Sequence, residues 1–397
     1  MRVAAQAKPA VVELTVLMPC LDEAKTVATC VRKAIEACRA ANVEAEVLVA
    51  DNGSRDGSPD LAREAGARVI HVPEKGYGSA LKAGIEAAHG RYIVMGDADD
   101  SYSFEHVPRF LERLRAGDEL VMGSRFRGVI QEGAMPFLHR VLGNPVLTWI
   151  LNLFFGAGIT DAYCGLRGFS RESIRKLSLR APGMEFAIEM VVRAAQQRIP
   201  IGEVPTSLKP DGRGRKSHLR TWRDGWRTLR FMLLFSPLWL FAVPGGAALA
   251  LGLALTVSVA VAHLDVFGRI LHTHFALLGS ALAILGLQVT LLGVFAKTVF
   301  VLDGIGRSPP VERLIAGYRL EGALLAGAAA AFAGLAIDGH ILWHWIRSHG
   351  GALDEAITNL AIMGGTLLAL GVEVIFSAFF LSILKGSRER RWAGVDG

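Results

Sequence analysis

The run Arg91-Tyr92-Ile93-Val94-Met95-Gly96-Asp97-Ala98-Asp99-Asp100 decides the fold: a short apolar stretch stops abruptly on three carboxylates. A run of four to eight apolar residues bounded by turn formers reads as a buried strand. Upstream, Glu46–Ala50 repeats the pattern and ends on Asp51-Asn52-Gly53-Ser54-Arg55-Asp56-Gly57. Further strands are expected at Glu13–Met18, Arg68–Val72 and Glu119–Gly123, with helices over Ala24–Ala41 and Tyr77–His89. Strand–helix alternation of this kind predicts an α/β unit, its mostly parallel sheet joined by right-handed crossovers and flanked by helices. Ligands bind such sheets beyond the carboxyl ends of the strands, so the acid turns at Asp51 and Asp97 are expected to share one crevice.

Beyond Lys209 the pattern changes. Trp222, Trp226, Leu229 and Leu233 recur at helical spacing, with Arg220, Arg223, Arg227 and Arg230 beside them. A helix with Trp and Leu on one face and Arg on its flank suits the headgroup zone of a bilayer; packing on the soluble unit is the alternative. Four apolar stretches follow at 238–262, 275–302, 322–345 and 359–384. Each reaches the roughly 20 residues needed to cross a hydrocarbon core. Arg307, Arg313 and Arg319 lie between the second and third stretches, and Lys385, Arg388, Arg390 and Arg391 follow the fourth; the other two loops hold only Arg269 and Arg347. The positive-inside rule then puts the α/β unit, the middle loop and the tail in the cytoplasm. The expected division is 1–216 catalytic, 217–236 juxtamembrane, 237–385 membrane-spanning and 386–397 a basic tail.

The 397 residues carry a formal charge of +6, concentrated between Arg193 and Arg230. Because this cluster leads straight into apolar helices, it points to an anionic membrane surface rather than to nucleic acid. Cys20, Cys30, Cys38 and Cys164 form no C-x-x-C pair and no zinc spacing, so buried free thiols in a reducing compartment are expected. Residues 1–8 contain no apolar segment, and no cleaved signal peptide is expected. Within the spans, Lys297 is placed to snorkel, Glu373 to face other helices, pair or be protonated, and Asp338, His340 and His344, which mimic a metal site, to join an interfacial belt with Trp343 and Trp345.

Asp97 and Asp99, two carboxylates at a strand end, suit a hard divalent cation that also binds phosphate oxygens; a solvated acidic turn is the alternative. Asp51 suits hydrogen bonds from a base or ribose, or an Asx-type turn of its own. The ordered set of motifs resembles the family-two inverting glycosyltransferases of the GT-A, Rossmann-like fold. Pro19-Cys20-Leu21-Asp22-Glu23 is similar to their P-x-x-N-E opening, with Asp22 where Asn is usual. Asp51–Gly57 resembles their D-x-G-S-x-D-G turn, Glu74–Ala80 their glycine loop, Asp97-Ala98-Asp99 their metal motif and Gly123-Ser124-Arg125 their G-S-R run. Asp161-Ala162-Tyr163-Cys164-Gly165-Leu166-Arg167 resembles the acceptor motif of the dolichol-phosphate-mannose-synthase group.

The resemblance, which covers about Leu14 to Arg230, implies a role for each matching position. Pro19, Glu23, Asp51 and Lys75 line the nucleotide pocket, and Asp97, Ala98 and Asp99 form the site of Mg²⁺ or Mn²⁺. Arg125, Arg140 and Arg167 face the acceptor phosphate and the donor diphosphate, and Asp161 lies beside the sugar. The implied reaction carries a hexose from a UDP- or GDP-sugar to a polyprenyl phosphate. Such a phosphate is already ionised, so arginine forks that bring two anions together matter more than a general base, and Asp161 is read as orienting first. Arg215 and Lys216, in a Gly- and Pro-punctuated basic loop, are read as a lid on the donor diphosphate or as a basic linker touching lipid. The competing readings are a processive polysaccharide synthase, whose Q-x-x-R-W signature is missing here, a glycolipid synthase with a hydroxyl acceptor, a degenerate scaffold and a transporter. The spans lack the paired broken helices of transporters, and are expected to anchor the unit and to build a homo-oligomer.

Overall fold

Each acid turn closes a strand of one seven-stranded sheet. Its strands are β1 (Leu14–Cys20), β2 (Ala45–Asp51), β3 (Arg68–His71), β4 (Tyr92–Met95), β5 (Leu120–Ile130), β6 (Arg167–Ser170) and β7 (Ile201–Leu208), in the order β3-β2-β1-β4-β6-β5-β7. The computed structural model describes residues 12–212, 221–262, 265–266 and 269–393. It divides into two units, Met1–Met232 and Leu233–Gly397.

In the first unit, β1 is buried along nearly its whole length, as a strand covered on both faces must be. Its side chains alternate. Val16 and Met18 join the core made with α1 (Val27–Ala40), whose Val27, Cys30, Val31 and Ala34 recur at helical spacing. Leu17 points the other way and touches Gly84 of α3 (Tyr77–Ala87) so closely that a Cβ on that glycine would lie 2.3 Å from Leu17 Cδ1. Between them in the chain, α2 (Ser58–Glu64) starts after Gly57, which takes a left-handed φ of 83°. The helix α4 (Val107–Arg115) adds Val107, Phe110, Leu111 and Leu114 to the same core. The remaining helices of the unit are α5 (Asn144–Phe155), α6 (Arg171–Lys176), α7 (Phe186–Gln197) and α8 (Thr221–Phe235), the last running into the second unit.

The expected mostly parallel sheet is present, with two strands the sequence did not announce. β6 runs antiparallel between β4 and β5, pairing Met95 with Arg167 and Met122 with Arg167. Its four residues, Arg-Gly-Phe-Ser, carry a single large apolar side chain, too little for a periodic signal. β5 continues to Ile130, beyond the expected stop at Gly123, through an irregularity between Ser124 and Val129 against β7. β7 also went unannounced, because Pro205 and the polar residues Glu203, Thr206 and Ser207 dilute its alternation.

The second unit holds four helical stretches long and apolar enough to cross a membrane: Leu238–Val261, Thr273–Leu302, Leu320–Arg347 and Glu355–Gly386. Its helices are α9 (Val243–Val257), α10 (Thr273–Leu302), α11 (Pro309–Gly317), α12 (Leu320–Arg347) and α13 (Glu355–Ala393). α9 meets α10, and α12 meets α13, through glycines at backbone distance. A Cβ at Gly286 would lie 2.3 Å from Leu249 N, and one at Gly334 would lie 2.3 Å from Gly364 O. Small residues at such crossings are how helices gain packing where no hydrophobic effect drives them together. Lys297 departs from the snorkelling expectation: it is buried, with Nζ 6.0 Å from the Phe300 ring centre. His340 and His344 meet edge to face with ring centres 4.6 Å apart, while Asp338 turns toward α13, where a Cβ at Gly364 would meet its Oδ1 at 2.4 Å.

Candidate active site

The parallel register brings Cys20, Asp51 and His71 side by side at one sheet edge, and the run after β4 opens onto the same edge. The turns leaving β1 and β2 are stapled to each other. Asp22 N donates to Ser54 Oγ at 2.9 Å, and Arg55 N donates to Asp22 Oδ1 at 2.8 Å. Asp22 sits at φ 57°, a left-handed conformation that Asn and Asp tolerate best, which explains why Asp can stand where the resemblance has Asn. Glu23 is buried and donates its N–H to Ser58 Oγ at 2.8 Å, while Pro19 pairs in register with Ala50. Asp51, 1% exposed, accepts from Gly53 N, Ser54 N and His71 Nδ1 at 3.1, 3.1 and 2.9 Å. The Asx-type turn is therefore formed. Burial alone would raise the Asp51 carboxyl, but the bonds from Ser54, Gly53 and His71 outweigh it and hold the group below the usual carboxylate range.

The loop before α3 is tied to this turn by Asn52. Its Nδ2 donates to Val72 O at 3.2 Å and Glu74 O at 2.7 Å, its Oδ1 accepts from Gly76 N at 2.8 Å, and its carbonyl accepts from Lys75 Nζ at 2.7 Å. Tyr77, first residue of α3, then donates its hydroxyl to Asp97 Oδ1 at 3.1 Å. Thr26 Oγ1 donates to the carbonyl of buried Ala98 at 2.7 Å, and Asp99 Oδ1 accepts from Ser101 N and Oγ at 3.0 and 2.6 Å. Among the described residues no group of three His, Cys, Asp or Glu converges as a metal cage. A pair of carboxylates on one turn still fits Mg²⁺ or Mn²⁺, which take one or two protein carboxylates and complete their shell with phosphate oxygens and water.

Across the edge, Arg125 and Asp161 form a bidentate pair, Nε to Oδ2 at 2.7 Å and NH2 to Oδ1 at 2.8 Å. Both side chains are enclosed, at 8% and 0% exposure. Arg125 N and Tyr163 N also donate to Asp161, at 3.0 and 3.1 Å, so each carboxylate oxygen accepts two bonds. Arg125 keeps NH1 outside the pair. Gly165 brings this segment against the acid turn: a Cβ there would lie 2.6 Å from Asp97 Oδ2 and 3.0 Å from the Tyr102 ring, and Tyr102 Oη accepts from Gly165 N at 2.8 Å. The structure thus joins Asp97 to the Asp161–Arg167 run.

Of the other two arginines expected on phosphates, one is committed elsewhere and one is exposed. Arg167 is fully buried and donates to the carbonyls of Cys164 and Ala162 at 2.8 and 2.9 Å and to that of Ala187. A guanidinium satisfied this way holds the 162–187 backbone together and does not point at an anion. Arg140 is exposed on a π-helical turn, His139–Gly143, amid exposed Phe137, Leu138, Val141 and Leu142. The apolar surface continues along α5 through Val146, Trp149 and Leu153. The spacing 142, 146, 149 and 153 is helical and would have revealed this face, which the sequence reading passed over; Asn52 and Tyr77 were missed because their roles depend on contacts made far along the chain. Arg215 and Lys216 lie outside the described residues.

The chain belongs to glycosyltransferase family 2 and is a glycosyltransferase. The model for "Glycosyl transferase family 2" matches residues 15–178, and that for the "Glycosyltransferase family 2 C-terminal transmembrane region" matches residues 294–385, which with the four apolar helices makes this an integral membrane protein. The low-salt glycan biosynthesis hexosyltransferase Agl6 of Haloferax volcanii is 37% identical over 94% of this chain and 89% of its own length. A dolichyl-phosphate hexose transferase of the same organism is 35% identical over 41% of this chain and 68% of its own. Among solved structures, glucosyl-3-phosphoglycerate synthase from Mycobacterium tuberculosis with Mn²⁺, UDP-glucose and phosphoglyceric acid aligns at a TM-score of 0.43 and 22% identity, over 56% of this chain and 78% of the other.

Proposed function

We propose that this glycosyltransferase moves a hexose from a UDP- or GDP-sugar to the phosphate of a polyprenyl phosphate, with inversion, at the cytoplasmic face of the membrane. The observation that carries the reading is the close approach of Asp97 to Gly165, in the run that also supplies Asp161 and its enclosed pair with Arg125, on a chain with four stretches long and apolar enough to cross a membrane.

In this reading Asp51, Glu23, Pro19 and Lys75 hold the nucleoside end of the donor. Asp97 and Asp99 hold Mg²⁺ or Mn²⁺, which when bound offsets charge on the departing diphosphate. A phosphate oxygen of the acceptor forms a bond to the anomeric carbon as the bond from that carbon to the nucleoside diphosphate breaks, and the diphosphate leaves with the electron pair. No proton has to be removed from the acceptor. Asp161 suits such chemistry because both its oxygens are occupied; its work is to hold Arg125, whose NH1 takes no part in the bridge and is assigned to the acceptor phosphate. A hydroxyl acceptor would need Asp161 as a base, at the cost of breaking this bridge. Arg140 and the apolar face around it suit a lipid phosphate drawn from a bilayer surface, and exposed Trp222 and Trp226 suit the same zone. The domain boundaries, the cytoplasmic orientation from loop arginines and a homo-oligomer through the spans belong to the same proposal. So does the lid of Arg215 and Lys216: an R215A/K216A variant with unchanged turnover would remove it.

The test incubates purified protein with a panel of UDP- and GDP-hexoses, a polyprenyl phosphate and Mg²⁺ or Mn²⁺, followed by mass spectrometry of the lipid. One donor should yield polyprenyl-phosphate-hexose; only neutral glycolipid or free sugar, for every donor, would reject the acceptor.

A further inference from the structure

We propose that Tyr77 is a positioning residue for the cation site: its hydroxyl fixes the Asp97 carboxylate, and Asn52 carries the state of the nucleotide turn to it through the loop 72–77. The inference rests on the cation reading above and adds a residue outside the acidic motif.

Asp97 is clasped from two sides. Tyr77 donates to Oδ1 at 3.1 Å. Oδ2 lies over Gly165, where even a methyl group would come within 2.6 Å of it. The carboxylate can then turn neither away from Tyr77 without losing the hydrogen bond nor further toward the 161–167 run without displacing it. A side chain that must bind a cation with directed lone pairs gains from being fixed in one orientation beforehand, and a neighbour that fixes it typically contributes ten- to a hundredfold in metal affinity.

The position of Tyr77 is in turn set from the opposite strand. Gly76, immediately before it, holds φ 134°, which favours glycine, and gives its N–H to Asn52 Oδ1. Asn52 also binds Val72 O and Glu74 O, and its own N–H donates to Cys20 O at 2.9 Å. Asn52 follows Asp51 directly, so a nucleoside that reorders the Asp51–Ser54 turn pulls on the same amide that anchors the Tyr77 loop. The ends of β1 and β2 are thereby connected to the carboxylate beyond β4.

The experiment titrates Mn²⁺ into the detergent-purified full chain and follows free Mn²⁺ by electron paramagnetic resonance, alone and with whichever of UDP or GDP tightens binding to the wild type. Tyr77→Phe keeps the ring and removes only the donor. It should raise the Mn²⁺ dissociation constant about tenfold, with the apparent melting temperature within a few degrees of wild type and kcat at saturating Mn²⁺ much less affected than the Mn²⁺ half-saturation. Gly165→Ala, which presses on the same carboxylate from the other side, should weaken Mn²⁺ in the same sense and serves if Tyr77→Phe does not fold. Asp97→Asn separates the two levels of the argument. If Asp97→Asn abolishes Mn²⁺ binding while Tyr77→Phe and Gly165→Ala leave it within twofold of wild type, the positioning role is wrong and the cation site stands. If Asp97→Asn leaves binding unchanged, the cation site and the positioning role both fall.

Discussion

Removing one member of the Arg125–Asp161 pair should cost more than removing both. Arg125→Met takes away two charge-assisted bonds, at 2.7 and 2.8 Å, and strands a carboxylate with 0% exposure. Single truncation of a buried pair costs about 3–5 kcal/mol, chiefly because the remaining charge is left without compensation. Replacing both partners by apolar groups of similar volume is often neutral, so Arg125→Met with Asp161→Leu should recover part of the loss, the remainder reflecting the acceptor that Arg125 N and Tyr163 N lose. In a unit of this size each kcal/mol moves the melting temperature by roughly 2–4 °C, so the single variant should melt on the order of 6–20 °C lower. The assay is differential scanning fluorimetry of the detergent-purified wild type, both single variants and the double variant, read as a double-mutant cycle. Transferase activity, measured on the same samples, should be lost in all three variants, the stable double included. A single variant that melts with wild type, or a double variant as unstable as either single, would refute the view of this pair as a desolvated ion bridge. A stable double variant that retains turnover would refute its part in catalysis.

Three other outcomes follow from the same geometry. Because hydrogen bonds depress the Asp51 carboxyl, its stabilising contribution should be complete above the ordinary aspartate value near 3.9 and disappear as pH falls through the lower folded value; the melting difference between wild type and Asp51→Asn should be flat from about pH 5 to 8 and shrink below pH 4. Burial pushes the thiols of Cys20 and Cys30 up to about 12 and those of Cys38 and Cys164 to about 11, so none should react with maleimide at pH 7 in the folded protein, and all should react in denaturant. Gly286→Val should force α9 and α10 apart, since even a Cβ would stand 2.3 Å from Leu249 N; a lowered melting temperature is expected, and an unchanged one would mean that the helices pass each other elsewhere.

The sequence by itself determined the elements whose signal is local. The apolar runs ending at Asp51 and Asp97 declared β2 and β4, and with them the edge that holds the candidate site, because a strand covered on both faces must be apolar throughout and must stop where polar groups begin. The four long apolar stretches likewise needed nothing beyond length and composition. The tertiary structure alone decided what depends on partners distant in the chain. It turned β6 antiparallel, although Arg-Gly-Phe-Ser announces no strand of its own. It gave Arg125 to Asp161, 36 residues on, and bound Arg167 to backbone carbonyls rather than leaving it open to an anion. A motif states which groups are present at an edge; a charge taken out of water must find compensation wherever packing supplies it. Which arginine stays available for a phosphate is therefore decided by the folded neighbourhood.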